Sequence, residues 1–195
     1  WAGRKRYAHL PPGGLGFVRE AVSPVGLKVV GRLVGLYVFV AIFWSLYDQT
    51  GAGWVQQSFH MDLNLFGITL LPEQVHSVNP LLILVYIPLF SYVIFPAVEK
   101  VVHLTPLPKI GAGLLLTSVS FLVVAWIEHL ITQGYRPTVW WQIFAYVLIT
   151  AAEVMVSVVG LEFSYTQAPR KMKSVVMALW YLSVSAGNLI AAQVN

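Results

Sequence analysis

The residue with the clearest chemistry in this sequence is a single acid, Glu153. It sits in Ile149-Thr150-Ala151-Ala152-Glu153-Val154-Met155-Val156, inside an apolar run at about 138–161. It lies about 14 residues from the start of that run. At 1.5 Å per residue this is a depth of about 21 Å, with about 12 Å left to the other end. An ionised carboxylate at mid-membrane costs about 2.5–3.5 kcal/mol on insertion scales. The short side chain cannot snorkel to either interface, so the group must face protein or a wet cavity. There it is suited to carrying a proton or meeting a cationic substrate. A structural glutamic acid hydrogen-bonded to a neighbouring helix is the plainer alternative. Ser157 and Gly160 follow at i+4 and i+7, so they extend one polar, narrow stripe on the same helix face.

Four other residues carry a cost or a reach worth explaining. Asp48 ends an apolar run at about 29–48, four residues after Trp44, so the two share a helix face. A solvated interfacial acid explains Asp48 plainly; a partner for a cation on another helix, closing a gate, is the sharper reading. Trp44 reads either as an interfacial belt residue or as a pocket wall. Asn79 precedes Pro80 at the opening of a run at about 75–98, where a helix N-cap and a ligand contact both account for it. Trp180 lies mid-run in the last apolar segment, 174–194, with Ser183 and Gly187 at i+3 and i+7, and packing and recognition both remain open. His60, His76 and His103 lack metal-ligand spacing with one another, and no nucleophile elbow, zinc-helix or phosphate-loop motif occurs. An intramembrane enzyme would need a second catalytic group at the depth of Glu153, and no His, Asp or Lys is expected there. No catalytic residue, metal site or cofactor is predicted.

The elements that must position these residues follow from composition. Of 195 residues, 57% are apolar and 10% charged, with a mean hydropathy of +0.72. Soluble domains carry about a quarter charged residues, so a soluble globular chain is excluded, as is a disordered one. With no cysteine, disulfides and thiolate metal sites are excluded too. Five apolar runs, at about 29–48, 75–98, 110–131, 138–161 and 174–194, each approach the roughly 20 residues that cross a bilayer as a helix. The expected fold class is therefore an all-α membrane protein. Residues 1–28 read as a polar, basic linker with a Pro11-Pro12-Gly13-Gly14 loop signal, and 29–195 as the transmembrane bundle. The stretch 49–74 is too mixed to span and reads as a loop with fraying helix ends. Pro88 and Pro96 fall inside the second run, where they predict a bend used for packing or as a hinge.

Eleven of the twelve cationic residues fall on one side: Arg4, Lys5, Arg6, Arg19, Lys28 and Arg32 before or in the first run, Lys100 and Lys109 after the second, and Arg170, Lys171 and Lys173 after the fourth. Only Arg136 falls opposite. The positive-inside rule makes the crowded side cytoplasmic, with the N-terminus inside and the last span ending outside. The net charge of +4 then needs no nucleic-acid partner. Five spans in a chain that opens on Trp1 predict one part of a longer protein.

Several segments together carry a resemblance. Phe43-Trp44-Ser45-Leu46-Tyr47-Asp48-Gln49-Thr50-Gly51 resembles the seventh-helix motif of the proton-dependent oligopeptide transporters of the major facilitator superfamily. Val78-Asn79-Pro80 is similar to their eighth helix, Glu153 with Gly160 to Pro169 to the end of their tenth, and Met172-Lys173-Ser174-Val175 leading to Trp180 to their eleventh. The resemblance implies helices seven to eleven, most of the C-terminal six-helix half of a twelve-helix carrier in the cell membrane. It implies proton-coupled symport of di- and tripeptides, with nitrate or another small solute as the alternative cargo. Glu153 would bind the peptide amino terminus and take part in proton coupling, Asn79 would contact the same end, Asp48 would gate against a basic residue of the other half, and Trp44 and Trp180 would line side-chain pockets. Ser157 belongs to the expected substrate site through the Glu153 stripe. The N-terminal six-helix half, its ExxER motif and the twelfth helix would be supplied from outside these residues. Ala152 stands where many members have glycine.

Overall fold

The computed structural model describes residues 16–102, 105–169 and 172–194. Arg4, Lys5, Arg6, Arg170, Lys171 and His103, and the loop signal at 11–14, lie outside them. A short helix α1 (Gly16–Ala21) leads into α2 (Pro24–Tyr47). Ser23 caps α2, its Oγ accepting from the Gly26 amide at 3.1 Å, and Pro24 occupies the first turn, where a missing N–H costs nothing. That cap starts the first spanning helix five residues before the predicted 29, inside the expected linker.

The stretch 49–74 is more ordered than a loop. A 3₁₀ turn (Asp48–Thr50) leads into α3 (Gly53–Ser58). A two-residue hairpin comes next, β1 (Asn64–Leu65) and β2 (Ile68–Thr69), antiparallel with Asn64 opposite Thr69. Its connecting residues, Phe66 and Gly67, both have positive φ (51° and 87°), which matches the right-handed twist of the strands, and the Gly67 amide donates to Asn64 Oδ1 at 2.8 Å. α3 is held because Trp54 is buried edge-on against Phe121 and Tyr146, with ring centroids 5.6 and 5.0 Å away. This small hairpin and an isolated parallel bridge between Asp62 and Thr138 are the departures from an all-α description among the described residues.

The second span is built from α4 (Pro72–His76), α5 (Val78–Leu89), a π-helical turn (Phe90–Ile94) and α6 (Phe95–Glu99). Pro88 lies just before the π turn, where its lost donor loosens the ladder. α7 (Pro106–Thr132) stops at Gly134, whose φ of 85° reverses the chain. The Gly134 and Tyr135 amides close back on Ile131 and Leu130 at 2.9 and 3.1 Å. The fourth span comprises α8 (Val139–Glu153), a second π turn (Val154–Val158) and α9 (Val159–Gln167). It runs six residues beyond the predicted 161, carrying the exposed Glu162, Thr166 and Gln167. α10 (Lys173–Val194) is the fifth.

Among the described residues, five helical segments are long and apolar enough to cross a bilayer. Half of the most apolar window of the fourth is buried but only 6% of that of the second, so α8 and α9 form the centre and α5 an outer wall. Small residues let the helices approach. Ser120 Oγ donates to the Ala145 carbonyl at 2.9 Å, and Gly113 and Thr117 are buried on the same face of α7. The outward faces are apolar, as at Leu84, Leu115 and Leu122, each about 70% exposed within the isolated chain, which suits contact with lipid.

Candidate functional site

Glu153 lies fourteen residues after Val139 and fourteen before Gln167, so it is central to its span, about 21 Å from either end. It is the last residue of α8, and the π turn begins directly after it. Its Oε2 accepts a hydrogen bond from Asn79 Nδ2 at 3.0 Å. The same Nδ2 donates to Thr150 Oγ1, also at 3.0 Å. Asn79 Oδ1 accepts from the Tyr47 hydroxyl at 2.9 Å, and that hydroxyl is also close enough to interact with Glu153. Residues from α2, α5 and α8 thus meet in one hydrogen-bonded cluster in the middle of the bundle. Thr150 is fully buried and Asn79 is 7% exposed, whereas Glu153 keeps part of its surface open. A buried amide with both ends committed is held in one orientation.

A second layer adjoins the first on the α3 side. His76, three residues before Asn79, places Nδ1 3.4 Å from the Tyr146 hydroxyl, which itself donates to the Thr50 carbonyl at 2.9 Å. His76 is within electrostatic reach of Glu153. The expectation that no histidine lies near the acid is thereby corrected: the short helix α4 turns His76 inward, whereas its position at the start of the second apolar run points only to the interface.

The remaining predicted residues are arranged around this cluster. Trp44 is half-buried one turn before Tyr47, its ring edge-on to those of Phe43 and Tyr47 at 5.7 and 5.1 Å. Its Nε1 is buried without a hydrogen-bond partner. Asp48 is exposed at the top of α2, as the first residue of the 3₁₀ turn. Ser157 Oγ is buried and unpartnered. It lies inside the π turn, so the regular i+4 and i+7 stripe from Glu153 is interrupted, because one inserted residue rotates the next face by about 100°. Trp180 is 3% exposed, edge-on to Tyr37 at 6.1 Å, and its ring fills the space left by Gly160. The structure thus brings Glu153 and Asn79 together, sets Trp44 beside them, and seats Trp180 in the core. The sequence reading missed Tyr47, Thr150 and His76, although each lies three residues from one it had singled out.

The profile of the POT family matches residues 18–195. The chain belongs to the POT family. Among its relatives, Peptide transporter family 1 of Drosophila melanogaster is 41% identical over 112 residues, covering 57% of this chain and 15% of that one. Human Solute carrier family 15 member 2 is 37% identical over 108 residues, covering 55% and 15%. Among solved structures, the POT family transporter PepTSo superposes with a TM-score of 0.79 at 37% identity over 90% of this chain and 35% of that one. An auto-inhibited POT family peptide transporter gives 0.80 at 31% identity, over 89% and 34%. A mutant of a peptide transporter POT, solved in complex with alafosfalin, gives 0.75 at 28% identity, over 92% and 37%. The chain therefore spans about a third of the solved transporters it matches, and the aligned stretch about a seventh of these curated relatives.

Proposed function

We propose that these residues form spans seven to eleven of a proton-coupled symporter for di- and tripeptides, a carrier rather than an enzyme, with its N-terminus in the cytoplasm of the cell whose membrane it crosses. The observation that supports this reading best is the Glu153 carboxylate, held at mid-span by Asn79 with part of its surface open. A peptide ammonium group beside that carboxylate gains about 4 kcal/mol at 4 Å for an effective dielectric near 20. A proton on Glu153 cancels the charge and with it the attraction. One carboxyl group holds only one of the two cations at a time, so carrying both in the same direction requires a second proton-accepting group, which the acids of the N-terminal half would supply. The N-terminal half and the twelfth span complete the carrier from outside these residues.

The relatives named as peptide transporters and the alafosfalin complex support a peptide cargo. A nitrate cargo fits poorly, because an anion is repelled by the acid at the centre. Asn79 holds the acid through a fully committed amide, Trp44 walls the adjoining space, and Asp48, exposed at the end of α2, is placed to meet a basic residue of the N-terminal half. Glu153→Gln in the complete transporter is expected to abolish proton-driven uptake of dialanine in proteoliposomes while the protein still folds and inserts. Uptake at the normal rate with the normal pH dependence would remove Glu153 from the mechanism, and efficient competition by nitrate would favour the other cargo.

A further inference from the structure

We infer that Tyr47 is a positioning residue that ties the protonation of Glu153 to the seventh-span segment α2 through a reorientation of the Asn79 amide. This rests on the proposed symport. The donor and acceptor inventory carries it. Asn79 has one acceptor and a two-hydrogen donor group. In the structure the acceptor takes the Tyr47 hydroxyl proton, and the donor group serves Thr150 Oγ1 and Glu153 Oε2. That pattern fits an ionised Glu153, which only accepts. A protonated Glu153 is itself a donor on one oxygen and meets an amide that points donors at it. Turning the amide over about its terminal bond presents Oδ1 to the new carboxyl proton and the donor group to the Tyr47 oxygen. Tyr47 then changes from donor to acceptor, and its own proton must find another partner. The hydrogen bond between α2 and α5 is rewritten whenever Glu153 gains or loses its proton. No covalent bond changes beyond the proton arriving on the carboxyl; the hydrogen bonds around the amide reverse direction.

The other groups facing Glu153 do not duplicate this role. From α4, His76 is engaged with Tyr146, and on α8 itself Tyr146 gives its proton to the Thr50 carbonyl. α7 presents Gly113, Thr117 and Ser120 to this side, none of them titratable, and its Glu128 is held at the hairpin end of the bundle by Gln57 Nε2 at 2.8 Å. Among the described residues, Tyr47 alone contacts both the amide and the neighbourhood of the acid from a different span.

Tyr47→Phe removes the hydroxyl and keeps the ring against Phe43 and Trp44. In proteoliposomes carrying the complete transporter, counterflow exchange of dialanine at constant pH is the control for folding and insertion, and is expected to slow without being lost. The pH midpoint of gradient-driven uptake should move by about half a unit or more to higher pH, because the amide no longer locked by Tyr47 favours ionised Glu153 less. In an Asn79→Leu background the same Tyr47→Phe change should shift the pH profile less, since only the direct approach of the hydroxyl to Glu153 remains once the amide is gone. A wild-type pH profile for Tyr47→Phe, or an equal shift in both backgrounds, overturns the inference. If the unmutated transporter moves no dialanine, it is the proposed function that fails.

Discussion

Replacing Gly187 by alanine tests the packing that sets α2, and with it Tyr47, against the rest of the bundle. Gly187 is buried on α10 where that helix crosses α2. A Cβ at this position would press on the Ala41 carbonyl oxygen and lie 2.9 Å from Trp44 Cβ and 3.1 Å from the Ser45 amide nitrogen. All three are backbone or Cβ atoms, so no flexible side-chain end can yield and the two helices must separate. Overpacking of this kind costs about 1–3 kcal/mol, with the rigid surroundings favouring the upper end. The gain in helix propensity from glycine to alanine returns up to about 1 kcal/mol, leaving a net loss of about 1–2 kcal/mol. For a chain of this size that is a fall in Tm of about 2–8 °C. Gly31→Ala on α2 is the control, because nothing lies within 4 Å of its Cβ and no penalty is expected. The assay is a thermal melt in detergent micelles followed by tryptophan fluorescence. Melts for Gly187→Ala and Gly31→Ala that agree within about 1 °C would refute the close-approach argument, as resolution of the net loss requires a shift of about 2 °C.

Two further substitutions probe the ends of the bundle. Gln142 is fully buried, donating to the Trp54 carbonyl at 2.6 Å and accepting from Ser58 Oγ at 2.7 Å. Ser58 can still turn its proton to the Trp54 carbonyl, 2.9 Å away, so Gln142→Leu should cost about 1–2 kcal/mol rather than two full hydrogen bonds, and hydrogen exchange should show α3 amides opening faster while those of α7 do not. Lys109 pairs with Glu99 at 2.7 Å and lies 4.4 Å from the centre of the Phe95 ring; Lys109→Met should lower stability by less than about 1 kcal/mol, and the difference should shrink in high salt.

The five spans were legible because bilayer thickness imposes a length on apolar runs, and the last was placed to within one residue at 173–194. The misplacements have local causes. Ser23 caps a helix that hydropathy alone would start later, and α9 continues through Glu162 and Thr166 because its polar end has left the apolar layer. The stretch 49–74 looked like a loop because Gly51, Gly53 and Gly67 dominate it, yet Trp54 supplies enough buried area to fold α3. Within the site, Glu153 and Asn79 were legible from the cost of placing them in hydrocarbon. Tyr47 and Thr150 were not, since a tyrosine near a span end resembles an interfacial anchor and a threonine in a membrane helix commonly bonds its own backbone. Their partnership exists only between helices, in the crossing of α2, α5 and α8, which a single sequence does not display. The same applies to Trp180, for which packing and recognition looked comparable until Gly160 and Tyr37 were seen to enclose it.

The two π turns have different origins, and the difference bears on how Glu153 is held. The turn at Phe90–Ile94 lies between Pro88 and Pro96, each two residues from it and each lacking a donor for the ladder. The turn at Val154–Val158 contains no proline. Opposite it stands Gly113 of α7, where a Cβ would lie 2.8 Å from Val156 Cγ2, 3.0 Å from Met155 Cβ and 3.1 Å from the Ala152 carbonyl oxygen. The widened turn occupies the room that the missing side chain leaves. A regular α-helix through these residues would draw the backbone back from α7 and rotate Glu153 by up to about 100° relative to α9. The acid is therefore positioned from two sides: Gly113 admits the π turn next to it, and Asn79 and Tyr47 hold its carboxylate from α5 and α2.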